Sequence, residues 1–230
     1  MTLRSIAQQV IDVAAPEHAI AYAKRDTKAD GSVFASFHFV DWETLHCRQV
    51  SEGVYLQMKF GDLGPYVADA LDEPFSCRAA RLPDGGCAVL RADSMLCLFR
   101  PDGRMGSQFF LSYRGAPAYD IVNDGNKLWY TVPSQNAIAL YSLGSREMEL
   151  RVGGPGVFNR PKGIAKAGNE LLVSCTGGSS YEVKTLLLPS YELGRTVPLP
   201  SAPEQYFSVF RRHFLWADSG LYACEEEGGR

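Results

Sequence analysis

Short apolar runs separated by turn residues recur along most of the chain. Each unit starts with a turn such as Asp-Gly or Gly-Asn, which supplies the positive φ angles of tight hairpins, and continues with an apolar run of strand length. The clearest copies are DGGCAVLR at 84–91, DGNKLWYTV at 124–132, AGNELLVSC at 167–175 and RRHFLWAD at 211–218. The pattern predicts a chain built mainly of antiparallel β-hairpins.

The spacing of these units indicates the architecture. Aligning the apolar runs makes Arg91, Val132, Cys175 and Asp218 equivalent, with intervals of 41, 43 and 43 residues. A period of about 40–45 residues made of short strands is typical of a β-propeller, in which each repeat forms a four-stranded blade. We therefore predict an all-β chain folded as a β-propeller.

Grouping the strands into fours predicts the number of blades. Full groups are predicted over residues 33–71, 77–113, 118–153 and 162–199. The last group, from residue 206, has only three strands, and the strand predicted at 18–25 has no group. We assign this N-terminal strand to the last blade, because a blade built from both chain ends leaves no open edge. The simplest arithmetic gives five blades. Six blades, with more strands in the N-terminal region, is the alternative.

The N-terminal residues follow a different period. Apolar residues recur there at every third or fourth position, which predicts an amphipathic helix over residues 2–15 that ends before Pro16. This helix either caps the ring or presents its apolar side to a partner. The predicted domains are an N-terminal helix or cap at 1–17 and a single β-propeller domain at 18–230.

Charge and composition exclude several classes of function. The net charge is −3 and the basic residues are scattered, so we expect no nucleic-acid partner. No stretch approaches the ~18 apolar residues of a membrane span, and the N-terminus lacks the apolar core of a signal peptide. The six cysteines form no CxxC pair, as expected of reduced cysteines. We expect a cytoplasmic protein without a membrane partner, and the oligomeric state stays open.

One repeat resembles a known family. Residues 150–176 read LRVGGPGVFNRPKGIAKAGNELLVSCT. This resembles the NHL repeat, in which a Gly-rich stretch precedes Phe-x-x-Pro-x-Gly-Ile-Ala and a Gly-Asn turn. The matching residues are Phe158, Pro161, Gly163, Ile164, Ala165, Gly168 and Asn169. Elsewhere only the spacing and the turn residues persist, and Asp218 alone matches the family's aspartate at the end of the second strand.

The chain thus resembles a divergent propeller of the NHL, SMP-30 and streptogramin-lyase-like group. This resemblance implies a β-propeller fold. Members of the group act mostly as binding platforms, although some are metal-dependent lactonases or lyases. Fold alone does not decide between these functions.

The residues themselves favour a binding protein over an enzyme without excluding the latter. The chain has no GxSxG, Walker-type, HExxH or EF-hand motif, so no cofactor is expected. In a propeller, the loops between second and third strands and the loops between blades share one face, where ligands bind. Tyr119, Phe158 and Tyr206 fall near predicted blade starts, and Arg160 lies in a linking loop. We predict that these four bind a protein or peptide partner.

A second hypothesis places a metal on the same face. Glu52, Asp93, Asn136 and Asp218 fall in its predicted loops, around the mouth of the central channel. Carboxylate and amide oxygens suit Ca²⁺ or another divalent cation. With such an ion acting as a Lewis acid, the protein is a metal-dependent lactonase or lyase-like hydrolase, as the resemblance implies for some members.

Overall fold

A computed structural model of the protein describes residues 1–16, 19–178 and 180–225, and these residues contain five four-stranded antiparallel sheets. The chain divides into two compact units. One comprises Met1–Ser76 together with the chain from Ser208 onward, and the other comprises Cys77–Phe207. None of the helices in the described part of the chain is long and apolar enough to cross a lipid bilayer.

The chain begins with strand β1 (Thr2–Ala7). The first complete sheet follows, in the order β2 (Val10–Ala14), β3 (Ile20–Thr27), β4 (Val33–Val40) and β5 (Cys47–Val50). Two helices come next, α1 (Glu52–Phe60) and α2 (Gly64–Ala70). The Ser51 hydroxyl caps α1 by accepting the N–H of Val54 at 3.3 Å.

Three further sheets each use four consecutive strands, apart from one small hairpin between them. The first contains β6 (Arg78–Arg81), β7 (Cys87–Leu90), β8 (Met95–Phe99) and β9 (Met105–Phe110). A hairpin of β10 (Ser112–Tyr113) and β11 (Ala116–Pro117) follows. The next sheet contains β12 (Ile121–Asn123), β13 (Lys127–Val132), β14 (Ala137–Ser142) and β15 (Glu147–Gly153). The third contains β16 (Pro161–Ala167), β17 (Glu170–Cys175), β18 (Tyr181–Leu187) and β19 (Leu193–Leu199).

The last strands are β20 (Pro203–Val209), β21 (Arg212–Ala217) and β22 (Gly220–Glu225), and their sheet has the order β1-β22-β21-β20. The described residues therefore hold five blade-like sheets, as predicted, and no sixth. The strand groups predicted over 77–113, 118–153 and 162–199 are confirmed. Their hairpins form where Asp-Gly or Gly-Asn supplies positive φ, as at Gly85, Gly125 and Gly168.

The helix predicted at residues 2–15 is wrong, because β1 and β2 occupy most of these residues. The helical cap predicted at 1–17 is likewise not found over residues 1–16, and Glu17 lies outside the described residues. Gln9, with φ of 57°, separates the two strands. The backbone of β1 pairs with β22, and that of β2 pairs with β3. These tertiary pairings override the helical period. The β-branched residues of this stretch (Thr2, Ile6, Val10, Ile11 and Val13) also favour strands over a helix.

The strand predicted beside the last three strands was also the wrong one. The strand predicted at residues 18–25 corresponds mostly to β3, which lies in the β2–β5 sheet. His18 lies outside the described residues. The N-terminal strand beside β22 is β1. The strands predicted at 54–60 and 65–71 are helices α1 and α2, because Ser51 caps the first and its buried residues (Tyr55, Leu56, Lys59 and Phe60) follow the helical period.

Gly163 in β16 marks a close approach between two first strands of neighbouring sheets. A Cβ atom there would lie 2.3 Å from the carbonyl oxygen of Glu204 and 2.8 Å from Cα of Gln205. Gly163→Ala is therefore expected to lower the free energy of unfolding by about 1–3 kcal/mol, measured by urea denaturation. The matched control is Gly53→Ala in α1, where a Cβ meets nothing within 4 Å. Equal stability of the two variants would contradict this packing.

Candidate functional site

Four charged residues lie at matching positions along the chain. Arg78 is in β6, Asp120 directly precedes β12, Lys162 is in β16 and Glu204 is in β20. Each follows the previous one by 42 residues, and their signs alternate. Because each belongs to the first strand of a sheet or its immediate lead-in, the fold brings their side chains together within the unit Cys77–Phe207.

The contacts of these residues form one network, which we call the charge cluster (Arg78, Tyr119, Asp120, Lys162 and Glu204). Arg78 Nε lies 3.9 Å from Asp120 Oδ1, and its Nη2 lies 3.7 Å from Glu204 Oε2. Lys162 Nζ forms an ion pair with Glu204 Oε1. The Tyr119 hydroxyl donates to Glu204 Oε2 at 2.9 Å. The cations of Arg78 and Lys162 lie 5.6 and 5.2 Å from the Tyr119 ring centroid, so the ring is held on several sides.

Asp120 is the most buried member of the charge cluster, with 2% of its surface exposed. Its carboxylate accepts the N–H of Ile121 and that of Ile164, both at 2.9 Å, and the side-chain amide of Gln205 at 3.3 Å. Burial raises the pKa of Asp120 to about 6, although Arg78 and the backbone N–H groups oppose this rise. This carboxyl therefore links three sheets and titrates close to neutral pH.

Tyr119 and Lys162 keep their usual charge at neutral pH. Burial raises the pKa of the Tyr119 phenol, and the negative charge of Glu204 adds to this rise. Burial acts to lower the pKa of Lys162, but the hydrogen bond and charge of Glu204 outweigh it, so the pKa is raised overall. The charge cluster thus balances two cations against two carboxylates, and its members cross-link neighbouring strands.

A cleft of about 540 Å³ lies beside Tyr119, also within the unit Cys77–Phe207. Its walls come from the loop after β7, the segment before β12, the turn after β13 and the segment before β16. The lining includes Ala92, Ala118, Tyr119, Ser134, Asn136 and Arg160. Both predicted loop types, those between second and third strands and those between blades, therefore meet at this cleft.

The backbone around the polar end of the cleft is firmly held. Asn136 has φ of 49° and Arg160 has φ of 50°, and the Asn136 Oδ1 accepts the N–H of Arg160 at 2.8 Å. The carbonyl of Arg160 accepts the N–H of Thr176 at 3.2 Å. On another wall, the Ser94 hydroxyl donates to the carbonyl of Ala118 at 2.6 Å. The Arg160 side chain is exposed, and it extends from a backbone that these hydrogen bonds hold in place.

The predicted binding residues separate into two pairs. Tyr119 and Arg160 both line the cleft. Phe158 is fully buried in the hydrophobic core with Trp129 and Ile138. Tyr206 is 4% exposed, and its backbone N–H donates to the Ser174 hydroxyl at 2.9 Å. Phe158 and Tyr206 therefore serve as core residues here and present no side-chain surface to a partner.

The four predicted metal ligands are divided between the two units. Glu52, in the first turn of α1, and Asp218, in the β21–β22 turn, belong to one unit, and Asp93 and Asn136 to the other. Asp93 is paired with Arg91 at 2.8 Å, and the Asn136 oxygen already accepts the N–H of Arg160. Within the described ranges, no three His, Cys, Asp or Glu side chains are grouped as they would be to hold a metal ion.

Sequence reasoning missed the charge cluster apart from Tyr119, although a signal for it was present. The 42-residue interval from Arg78 through Asp120 and Lys162 to Glu204 is more regular than the interval between the apolar runs. Charged residues repeated at the blade period predict a polar cluster where first strands meet, because equivalent positions in a repeat occupy equivalent places in each blade.

Comparisons with known proteins bear on the fold. No family model matches the chain, and no match was found among curated proteins. Among solved structures, streptogramin B lyase is similar over 96% of both chains, with 9% identity and a TM-score of 0.50. A protein of unknown function from Bacteroides caccae is similar over 89% of this chain and 88% of its own, with 11% identity and a TM-score of 0.53. Such low identities carry information about fold alone. The chain is a β-propeller protein, divergent in sequence, with the fold of streptogramin B lyase.

Proposed function

We propose that this protein is a non-catalytic binding propeller whose cleft beside Tyr119 takes an extended segment of a protein or peptide partner. The observation that carries the proposal is the cleft itself. Its volume of about 540 Å³ lies within the ~300–1,000 Å³ of typical ligand sites. Four small apolar residues (Ala92, Pro117, Ala118 and Pro133) line it beside the polar side chains of Ser94, Tyr119, Ser134, Asn136 and Arg160. This mixture suits a peptide backbone with short side chains.

The arrangement of the polar groups supports binding over catalysis. In the charge cluster, each cation faces a carboxylate, so no side chain there is presented as an unpaired acid or base toward the cleft. The Ser94 hydroxyl is committed to the Ala118 carbonyl. The lyase activity named for one structural neighbour belongs to a protein of 9% identity, and an identity this low carries information about fold alone. Tyr119 and Arg160 are instead the residue types that anchor protein interfaces.

A blocking substitution tests the proposal. Ala92 is exposed and lines the cleft, so Ala92→Trp should fill the cleft while leaving the core intact. The matched control is Ala70→Trp, at an exposed position in α2 of the other unit. Peptides selected from a random decapeptide phage library on the wild-type protein should bind Ala70→Trp normally and bind Ala92→Trp at least ~10-fold more weakly, a loss of ~1.4 kcal/mol. Failure to enrich any peptide, or equal binding to all three proteins, would reject a peptide-binding cleft.

A further inference from the structure

We infer that the segment bound in the cleft carries a carboxylate, which Arg160 recognises. This inference rests on the proposed function and adds the chemical class of the ligand. Arg160 is the one charged residue among those that line the cleft. It is exposed, and its guanidinium makes no ion pair with any residue that the structure describes.

The other charges nearby do not cancel that of Arg160. Arg78 and Lys162, behind Tyr119, are balanced by Asp120 and Glu204. Asp93, which lies between the lining residues Ala92 and Ser94 in the chain, pairs with Arg91 at 2.8 Å. The cleft therefore keeps a net positive charge at its Arg160 end. Because a surface cleft concentrates the field of the charge beside it, an anionic group is drawn to this end.

Two neutral hydrogen-bond donors line the same cleft as Arg160. The Asn136 Oδ1 accepts the N–H of Arg160, which directs the amide Nδ2 away from that bond. Among the residues that the structure describes, neither this Nδ2 nor the Ser134 hydroxyl, which also lines the cleft, has a hydrogen-bond partner. The guanidinium, the amide Nδ2 and the hydroxyl can each donate hydrogen bonds to an acceptor-rich group in the cleft. A carboxylate is such a group, and it can accept the two parallel N–H bonds of an arginine.

The position of Arg160 is prepared for this role before any ligand binds. Its backbone is held by Asn136 on the N–H side and by Thr176 on the carbonyl side. A side chain that starts from an anchored backbone loses less freedom when it binds a ligand. Beyond it, Ala92 and Ala118 leave room for small apolar neighbours of the carboxylate.

A peptide offers a carboxylate from two sources, an acidic side chain and a free C-terminus, and three synthetic decapeptide pools distinguish them. The first pool lacks Asp and Glu and is amidated at the C-terminus. The second is identical except for one fixed central Glu. The third lacks Asp and Glu but has a free C-terminus. Each pool is passed over immobilised wild-type protein, over Arg160→Gln and over Arg104→Gln. Arg104 is a matched control because it is exposed and lies in the β8–β9 hairpin turn, outside the cleft lining.

We expect the wild-type protein and Arg104→Gln to retain the second or the third pool at least ~10-fold more than the first. Arg160→Gln should lose this preference while keeping the wild-type melting temperature. Equal retention of all pools by the wild-type protein would overturn the carboxylate inference and leave peptide binding intact. An unchanged preference in Arg160→Gln would also overturn it. Retention of no pool above a protein-free resin would instead refute the proposed function.

Discussion

Replacing Lys59 with methionine is expected to lower the free energy of unfolding by about 3–5 kcal/mol, because the change leaves a buried carboxylate without its cation. Lys59 Nζ forms an ion pair with Asp12, and the two side chains are only 4% and 3% exposed. The same ammonium donates to the carbonyl oxygens of Pro74 and Phe75, both at 3.2 Å. Lys59 thus ties helix α1 to strand β2 and to the turn that follows α2, in the unit where sequence reasoning was weakest.

A double substitution separates the charge effect from the loss of packing. Tyr55 donates to the Asp12 carboxylate at 2.6 Å, and an asparagine oxygen can accept the same bond. Asp12→Asn combined with Lys59→Met should therefore be clearly more stable than Lys59→Met alone, as urea denaturation will measure. Lys127→Met is the surface control, since Lys127 pairs with Glu149 where the two side chains are 42% and 35% exposed, and it should cost less than about 1 kcal/mol. A Lys59→Met variant as stable as this control would contradict the buried ion pair.

Acidification from pH 7 to pH 4 is expected to stabilise the protein through Asp120 by up to about 3 kcal/mol. The folded pKa of Asp120, about 6, exceeds the value of 3.8 for a free side chain. Between these values the folded state binds the proton more tightly than the unfolded state, so stability rises as the pH falls. The cost of the buried charge is fully present above pH about 6 and is absent below pH 3.8.

Other carboxyls act in the opposite direction, so the measurement has to isolate Asp120. Hydrogen bonds lower the pKa values of Asp26, Asp30, Asp41 and Glu149, so these carboxyls remove stability as the pH falls. Urea denaturation of the wild-type protein and Asp120→Asn should be compared at several pH values. The stability difference should move in favour of the wild-type protein as the pH falls from 7 to 4. Parallel curves, or a shift in favour of Asp120→Asn, would show that Asp120 does not titrate near pH 6.

The middle of the fold was predictable because local and repeated signals agree there. Between residues 77 and 199, turns that need positive φ, such as those at Gly85 and Gly125, separate apolar runs at the blade period. In the N-terminal region, the local pattern and the repeat period did not agree. Apolar residues at positions 2–15 fit a helix as well as two short strands, and pairing of β1 with β22 decides the outcome over more than 200 residues of chain. The periodicity of the sequence carries no information about this long-range pairing.

The candidate site was predictable in part for a similar reason. Asn136 and Arg160 were identified because propeller topology places their loops on one face, and Tyr119 because it is an aromatic residue near a blade start. Phe158 and Tyr206 were chosen as aromatic residues near blade starts, but an aromatic residue at such a position packs equally well into the core, and both are buried. Only the contacts of each ring distinguish these cases. The charge cluster needed attention to polar residues at the blade period rather than to apolar ones.

The central claim is that the cleft beside Tyr119 and Arg160 is the surface on which this propeller binds its partner. Two-dimensional ¹H–¹⁵N NMR of the full chain, titrated with the tightest-binding decapeptide from the phage selection, tests it most directly. The account predicts that the amide resonances of Ser94, Tyr119, Asn136 and Arg160 shift during the titration, while those of Lys59 and its neighbours in α1 do not. Shifts confined to residues outside the cleft lining would contradict it.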